Sequence, residues 1–287
     1  MRAEPFDLVE PTSYAGLLAA AREHAEDGKL LAGGQSLLAM MNLRLVRPAV
    51  LVTTGDLLRG EILTENGDLV IPAGTRHAEL IQSELVRKWF PSIAEAALHI
   101  GNTRVRNRGT IGGSLAHADA TAELPCVLAA LGARVVVASV DGEREVAADR
   151  FIVSWFTSVL GPDEIVRSVR VPLRRCRQAF AEFARRTGDF ALVEASVAID
   201  LGPHGGIERA RVVLGGIGDR PAVFDAEPTA ALTRERDPSR AGMAAATAIS
   251  ASIDPQDDHR ASAAYRRELA SVLVRDAIAT ALAGGAS

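Results

Sequence analysis

The chain has 287 residues, of which 48% are hydrophobic and 24% are charged, so it is long enough for about two domains with substantial cores. Its net charge of −4 comes from 36 acidic and 32 basic residues mixed along the chain, without the basic tail or stripe that is typical of nucleic-acid-binding proteins. The chain starts without an apolar segment of signal-peptide length, and no apolar run approaches the ~20 residues that span a bilayer, which predicts a cytoplasmic protein.

The first part of the chain alternates between short strands and helices. Thr12 and Ser13 precede apolar residues at helical spacing, which is typical of a capped helix. The predicted elements are a strand over 6–9, a helix ending at His24, a strand over 30–32, a helix over 37–45 and a strand over 49–53. Together they predict a small βαβαβ unit.

The middle of the chain favours a second unit made of hairpins and helices. Asn66-Gly67 and Asp141-Gly142 each separate two apolar runs, which is a strong hairpin signal. The predicted elements are strands over 61–63 and 69–73, helices over 91–100 and 122–131, and strands over 133–140, 143–147 and 165–171. We place a domain boundary within 172–178. This predicts domains 1–174, with subdomains of about 1–56 and 57–174, and 175–287.

The remainder changes character and predicts an antiparallel sheet with helices. Its strands are predicted over 179–185, 193–201 and 207–215, and its helices over 229–232, 240–252 and 259–282. The last helix has its apolar residues on one face, which indicates core packing rather than a partner groove: Tyr265, Leu269, Val272, Leu273 and Ile278. A glycine cluster at 215–218 lacks hydroxyl neighbours and a following helix, and so predicts a turn at a strand end.

Two glycine-rich segments carry the chemistry. Leu-Leu-Ala-Gly-Gly-Gln-Ser-Leu at 30–37 predicts a strand, a tight turn and a helix that Ser36 caps, and Arg-Gly-Thr-Ile-Gly-Gly-Ser at 108–114 repeats this composition. Adjacent glycines let the backbone approach a ligand, and successive N–H groups with the hydroxyls of Thr110 and Ser114 suit an anion such as a diphosphate. Either segment alone would more often be a surface turn. Neither is a Walker A or a Gly-x-Gly-x-x-Gly motif, which disfavours the usual nucleoside triphosphatase and Rossmann interpretations.

Other reactive residues indicate no metal or nucleophilic site. The six histidines include no pair at zinc spacing, and Cys126 and Cys176 cannot supply the four thiolates of an iron–sulfur cluster. There is no Gly-x-Ser-x-Gly motif. We therefore predict no catalytic and no metal-ligating residue. Near the second glycine segment, Arg104, Arg106 and Arg108 either neutralise phosphate charge or brace the loop, and we expect at least two to brace it.

The two glycine segments together resemble the FAD-binding medium subunit of the molybdenum hydroxylases, the xanthine and carbon monoxide dehydrogenase family. The resemblance rests on Ala-Gly-Gly-Gln-Ser-Leu at 32–37 and on the run from 105 to 119, where Val105 replaces the isoleucine of the family. Segments at 74–80, 163–166 and 185–191 support it. It implies an α+β fold: a two-subdomain FAD-binding part of the vanillyl-alcohol-oxidase type, then a smaller α+β C-terminal domain with an antiparallel sheet and helices.

Carried over position by position, the resemblance implies a set of FAD-binding residues. These are Leu31, Ala32, Gly33, Gly34, Gln35, Ser36, Leu37, Ile100, Thr110, Ile111, Gly112, Gly113, Ser114, Asp119, Glu123 and Val166. For His117 and Asp119 a proton-transfer role competes with a role in shaping the cavity, and we favour the second because flavin electron transfer needs little acid–base help. Ala181 and Glu182 stand where some members have a lysine, which changes how the flavin ring is held.

The resemblance also implies a function and partners. The chain would be an oxidoreductase subunit that takes electrons from a small [2Fe-2S] subunit and passes them to an external acceptor, while a large molybdopterin subunit hydroxylates the substrate. A heterotrimer or its dimer is implied. One alternative is a self-sufficient flavin oxidase, for which no covalent-flavin signature is present. Another is an assembly subunit that has lost FAD, against which the intact glycines and hydroxyls argue.

Overall fold

The computed structural model describes residues 2–204, 206–235 and 237–284. The strands are β1 (Asp7–Val9), β2 (Gly28–Leu31), β3 (Val50–Thr53), β4 (Leu63–Glu65), β5 (Asp68–Pro72), β6 (Arg134–Ser139), β7 (Gly142–Ala147), β8 (Ile152–Ser154), β9 (Thr157–Ser158), β10 (Ile165–Pro172), β11 (Cys176–Phe183), β12 (Val193–Leu201), β13 (Ile207–Gly215) and β14 (Ala222–Phe224). The helices are α1 (Tyr14–Glu23), α2 (Leu37–Asn42), α3 (His77–Gln82), α4 (Glu84–Trp89), α5 (Pro91–His99), α6 (Thr103–Arg106), α7 (Ile111–His117), α8 (Glu123–Ala130), α9 (Ala226–Arg234), α10 (Pro238–Ser252) and α11 (Ala263–Ala283). Two sheets are wholly antiparallel and contain more than two strands, and helices cover them, which confirms the predicted α+β class.

The N-terminal unit is a three-stranded parallel sheet in the order β1-β3-β2. Ser13 caps α1 by accepting a hydrogen bond from the Gly16 N–H, as its position before the helix predicts. The central strand β3 is buried, with Leu51 fully inaccessible. The predicted βαβαβ unit is confirmed, and its middle connection, from β2 into α2, carries the first glycine segment.

The second sheet has five antiparallel strands in the order β4-β5-β10-β6-β7. Asn66 and Gly67 both have positive φ, at 50° and 81°, and Glu65 pairs with Asp68, so a two-residue turn closes the β4–β5 hairpin. The inner strands of this sheet share one hydrophobic core with α5 and α8. That core supports the second glycine segment, because α7 begins inside this segment at Ile111, whose side chain packs in the core.

The C-terminal sheet has the antiparallel order β11-β12-β13-β14. Alternate residues of β12 from Val193 to Ile199 face a core that α10 and α11 complete. The other face of the sheet turns toward α8, where the Cys126 Sγ donates to the Val213 carbonyl at 3.4 Å. Both faces of β12 are therefore covered, which buries Glu194 and Ser196 between the C-terminal sheet and the rest of the molecule.

Several predicted elements differ from the structure. The short helices α3, α4, α6 and α7 and the strands β8, β9 and β14 were not predicted, because segments of so few residues show little periodicity. The last helix begins at Ala263 rather than 259, since Ser262 caps it by accepting from the Tyr265 N–H. The turn predicted at 215–218 is present, with Gly216 at a φ of 75°. Among the described residues, no helix combines the length and apolar composition needed to cross a membrane.

Candidate functional site

The two glycine segments, far apart in sequence, touch in the structure. A Cβ placed on Gly33 would lie 2.1 Å from the Arg108 carbonyl oxygen and 2.8 Å from the Gly109 Cα. A Cβ on Gly113 would lie 3.8 Å from the Ala32 Cβ. Real Cβ atoms do not approach backbone at about 2 Å, so only glycine permits the Gly33 contact. The segments over 31–37 and 108–114 therefore form one continuous surface.

The first segment offers unpartnered backbone donors. It links β2 to α2, and Gly34 has a φ of 73° while the Gln35 Nε2 donates to the Gly33 carbonyl at 3.0 Å. Within the described part of the chain, the N–H groups of 33–37 have no protein acceptor. Ser36 was predicted to cap α2, which is wrong, because its backbone is already helical and its hydroxyl makes no cap hydrogen bond. Successive free N–H groups of this kind form an anion-binding concavity.

The second segment is built differently. Its N–H groups at 111–114 all donate within the protein. Those of Ile111 and Gly112 donate to the carbonyls of Thr75 and Ala73 at 3.0 and 2.9 Å. Those of Gly113 and Ser114 donate to the hydroxyl and the carbonyl of Thr110 at 3.1 and 2.9 Å. The predicted concavity of free N–H groups is therefore absent from 111–114, and the hydroxyls of Thr110 and Ser114 remain as donors. Gly112 is needed for packing, since a Cβ there would lie 2.6 Å from the Ala73 Cβ.

Thr110 fixes the start of α7, and this contact gives a first prediction. Its side chain accepts from the Gly113 N–H, so Thr110→Val, which keeps the shape and removes the acceptor, should lower the free energy of unfolding by about 1 kcal/mol. Denaturant unfolding of the two proteins measures this difference. Thr110→Ser retains the oxygen and should recover most of the loss. A valine variant as stable as the parent would contradict the capping role.

Arg106 is the arginine that braces this region. Its Nη1 donates to the carbonyls of Ile100 and Gly101 at 3.0 and 2.9 Å, which holds the end of α5 against α6. Arg104 and Arg108 are exposed, and neither side chain forms a hydrogen bond or ion pair with the described residues. The expectation that at least two of the three brace the loop is therefore wrong. The backbone carbonyl of Arg108 contacts Gly33, so its guanidinium extends from the point where the two glycine segments touch.

Asp119 and Glu123 lie beyond α7 and are both buried. The Asp119 Oδ1 accepts from the N–H and the hydroxyl of Thr121, each at 2.9 Å, so this carboxylate holds its own loop. Burial, together with the negative charges of Glu182 and Asp119, raises the pKa of Glu123 to about 8. Glu123 is therefore mainly a neutral acid at pH 7 and can donate a hydrogen bond.

Two of the predicted cofactor residues are core residues. Ile111 is fully buried and Val166 is 5% exposed, and both pack in the main hydrophobic core. Val166 pairs with Val137 across β10 and β6. Ile100 is half-buried at the end of α5. The rings of His117 and Phe156 lie at a tilted angle with 5.1 Å between their centroids, and burial lowers the pKa of this histidine.

Sequence reasoning missed an aromatic cavity next to these residues. The cavity has a volume of about 630 Å³, and its lining includes Asp119, Trp155, Phe156 and Phe190. The three aromatic side chains are 47%, 55% and 63% exposed, in that order, in a chain with only 4% aromatic residues. The adjacent Trp155 and Phe156, in a chain with so few aromatic residues, were the signal in the sequence that could have identified it. In the described ranges, no group of His, Cys, Asp or Glu side chains is arranged to hold a metal ion.

Comparisons with known proteins cover nearly the whole chain. Residues 4–174 match a family described as the FAD binding domain in molybdopterin dehydrogenase, and residues 178–281 match the CO dehydrogenase flavoprotein C-terminal domain. The chain is 38% identical, over 98% of its length and 96% of the relative, to the 6-hydroxypseudooxynicotine dehydrogenase complex subunit alpha of Paenarthrobacter nicotinovorans. It is 34% identical to the carbon monoxide dehydrogenase medium chain of Hydrogenophaga pseudoflava, over 97% of each chain.

Solved structures are similar over the same extent. Carbon monoxide dehydrogenase from Hydrogenophaga pseudoflava aligns with a TM-score of 0.92 at 33% identity, covering 99% of both chains. Quinoline 2-oxidoreductase from Pseudomonas putida 86 aligns with a TM-score of 0.93 at 32% identity, again over 99% of both chains.

Proposed function

The chain belongs to the FAD-binding medium subunits of the molybdenum hydroxylases, and from this membership we propose that it carries electrons from an iron–sulfur subunit through bound FAD to an external acceptor. The observation that supports this most is the direct contact of the two glycine segments at Gly33 and Arg108, where we propose that one diphosphate binds to both. The family members are subunits of oxidoreductases, so this chain is an oxidoreductase component.

The residues present fit the diphosphate of FAD. The N–H groups of 33–37 have no acceptor among the described residues, and buried or half-buried backbone donors normally find one. We propose that the hydroxyls of Ser36, Thr110 and Ser114 face the same surface, and that the exposed guanidinium of Arg108 supplies positive charge there. We propose that the first segment binds through its backbone and the second through its hydroxyls.

The other predicted residues would hold the remainder of the cofactor. We propose contacts with the flavin from Leu31, Ile100, Asp119 and Glu123, and a supporting role behind the site for Ile111 and Val166. Glu123 would donate a hydrogen bond as a neutral acid, since its pKa is about 8. Bound FAD would supply reversible acceptance of electrons singly or in pairs. The chain itself would bind, orient and shield it.

Domain division and partners follow from the same family. We propose an FAD-binding domain over 1–174, with subdomains of about 1–56 and 57–174, and a C-terminal domain over 175–287. One relative's name identifies it as a complex subunit and another's as a medium chain. We propose that this chain likewise joins a small [2Fe-2S] subunit and a large molybdopterin subunit, in a heterotrimer or its dimer.

Purification of the full-length chain with added FAD tests the binding claim. A flavin absorbance that remains after gel filtration, with FAD identified after release, is expected. The electron-transfer claim is tested by adding substrates of molybdenum hydroxylases to the chain alone and to the complex purified with its partners. Flavin bleaching in the complex alone is expected. Bleaching in the isolated chain would instead support a self-sufficient oxidase, and no FAD binding would refute the proposal.

A further inference from the structure

The face of the C-terminal sheet turned toward α8 carries facing carboxyl groups. Glu182 on β11 pairs directly with Glu194 on β12, and Glu194 pairs on its other side with Gly215 on β13. Side chains at such paired positions begin about 5 Å apart. The carboxyl of Glu194 lies over Gly215, because a Cβ there would be 2.1 Å from its Oε1. Glycine at that position therefore makes room for the acid.

Helix α8 lies across these strands in a defined direction. The Arg211 Nη1 donates to the Ala129 carbonyl at 3.1 Å, and one turn earlier Cys126 contacts Val213. Six residues before Cys126, in the loop that precedes α8, the Ala120 carbonyl accepts from the Gly216 N–H at 3.0 Å. Glu123 begins α8 three residues before Cys126 and therefore shares its helix face, which places Glu123 between these two contacts, beside Glu194 and Gly215.

Apart from the imidazole of His99, 3.8 Å from Glu182, these acids lack a partner of opposite charge in the described residues. Both carboxyl oxygens of Glu194 and the Oε2 of Glu182 are buried without a hydrogen bond in the described residues, and no Lys or Arg pairs with either. Independently, the hydroxyl of Ser196, on the same face of β12, is also buried and unpartnered there. Burying an ionised carboxylate in such a place is costly, which favours the protonated form of both acids. Burial accordingly raises the pKa of Glu182 and of Glu194.

Glu182 and Glu194 lie between His99, which is nearer to solvent, and the candidate cofactor site. The His99 Nδ1 lies 3.8 Å from the Glu182 Oε2, and its Nε2 lies 3.6 Å from the exposed Glu95. The titratable groups that face the pair are His99 from α5, Glu123 and Cys126 from α8, and Asp119 from the loop before α8. Strand β13 contributes Val213 and Gly215, which do not titrate.

We propose that Glu182 and Glu194 are a buried pair of carboxylic acids that supplies protons to the cofactor site through Glu123 and regains them from solvent through His99. This role rests on the proposed function. Two-electron reduction of the site would require one or two protons. Each would come from a carboxylic acid whose O–H bond breaks, and the carboxylate left behind would take a proton from water through His99. Reoxidation would release the same number of protons to solvent, so that both acids are unchanged after one cycle.

The midpoint potential of FAD bound to the full-length chain, measured spectroelectrochemically from pH 6 to pH 10, tests this role. Burial raises the pKa of Glu182 and of Glu194, and below those raised values both acids are protonated in both oxidation states. At alkaline pH they lose protons in the oxidised protein, and added electrons draw those protons back. The potential should therefore fall more steeply with pH in the alkaline range, by one additional proton for each electron pair. In Glu182→Gln and Glu194→Gln this steeper region should be lost, whereas the exposed Glu84→Gln should retain it.

A second measurement does not depend on the cofactor or on the variants folding identically. Infrared spectra of the full-length chain without FAD should show protonated carboxyl groups at pH 7 that disappear at alkaline pH. The proton role would be overturned if the infrared absorption of protonated carboxyl groups is absent at pH 7. It would also be overturned if the midpoint potential of the parent falls linearly with pH, or if the steeper region persists in both glutamine variants. A chain that binds no FAD would instead overturn the proposed function, and the proton role with it.

Discussion

Gly33→Ala is expected to weaken FAD binding by roughly 100-fold. The added Cβ would lie 2.1 Å from the Arg108 carbonyl oxygen, and both the oxygen and the nearby Gly109 Cα belong to backbone that cannot rotate away. The two glycine segments must therefore separate by more than an ångström. Overpacking of this kind costs up to about 3 kcal/mol. FAD binding needs both segments at their present spacing, so this energy is subtracted from the binding free energy. A loss of that size corresponds to roughly 100-fold weaker binding.

Titration of the full-length protein with FAD, followed by flavin fluorescence, measures this effect. Gly206→Ala is the matched control, because a Cβ there meets no atom within 4 Å, and it should bind FAD like the parent. The melting temperature of the cofactor-free alanine variant should also fall, since the contact is within the protein. An affinity within twofold of the parent would show that the segments do not bind one ligand together.

The glycine pairs were recognisable in the sequence, but the reason for each glycine was not. Adjacent glycines beside hydroxyls predict an anion loop, and the first segment has the free N–H groups that this requires. Gly33 and Gly112 instead make room for backbone and side chains from other parts of the chain, at Arg108 and Ala73. Such contacts depend on tertiary packing, which local composition does not encode.

Strand β12 is a second place where the local sequence pattern does not predict the environment of the residues. Its alternation of apolar and polar residues is typical of a strand with one face in water, yet helices cover both faces. Glu194 and Ser196 are consequently buried, although their spacing predicts exposure. The long, periodic elements and the hairpin at Asn66-Gly67 were predictable because their signals lie within a few residues of each other.

The buried His77 is expected to make the folded protein less stable at acid pH. Its ring packs against the second glycine segment, where a Cβ on Gly109 would lie 2.9 Å from the His77 Cε1. Burial, aided by the charge of Arg106 and opposed by the Thr110 backbone, lowers the pKa of His77 to about 4 from its ordinary 6.5. Below pH 6.5 the unfolded chain takes up a proton that the folded chain refuses until about pH 4. The stabilisation is therefore complete above pH 6.5 and declines as the pH falls.

The decline should amount to about 3 kcal/mol in the free energy of unfolding by pH 4, since each unit of pKa difference is worth about 1.4 kcal/mol. Urea unfolding of the full-length protein at a series of pH values measures it. His77→Gln does not titrate and should flatten the profile between pH 4 and 6.5, whereas the exposed His204→Gln should leave the profile unchanged. If the slopes of parent and His77→Gln coincide, acid instability originates elsewhere. A matching fall in FAD affinity over this range would link the protonation of His77 to the position of the second glycine segment, because the imidazolium cannot remain buried against Gly109.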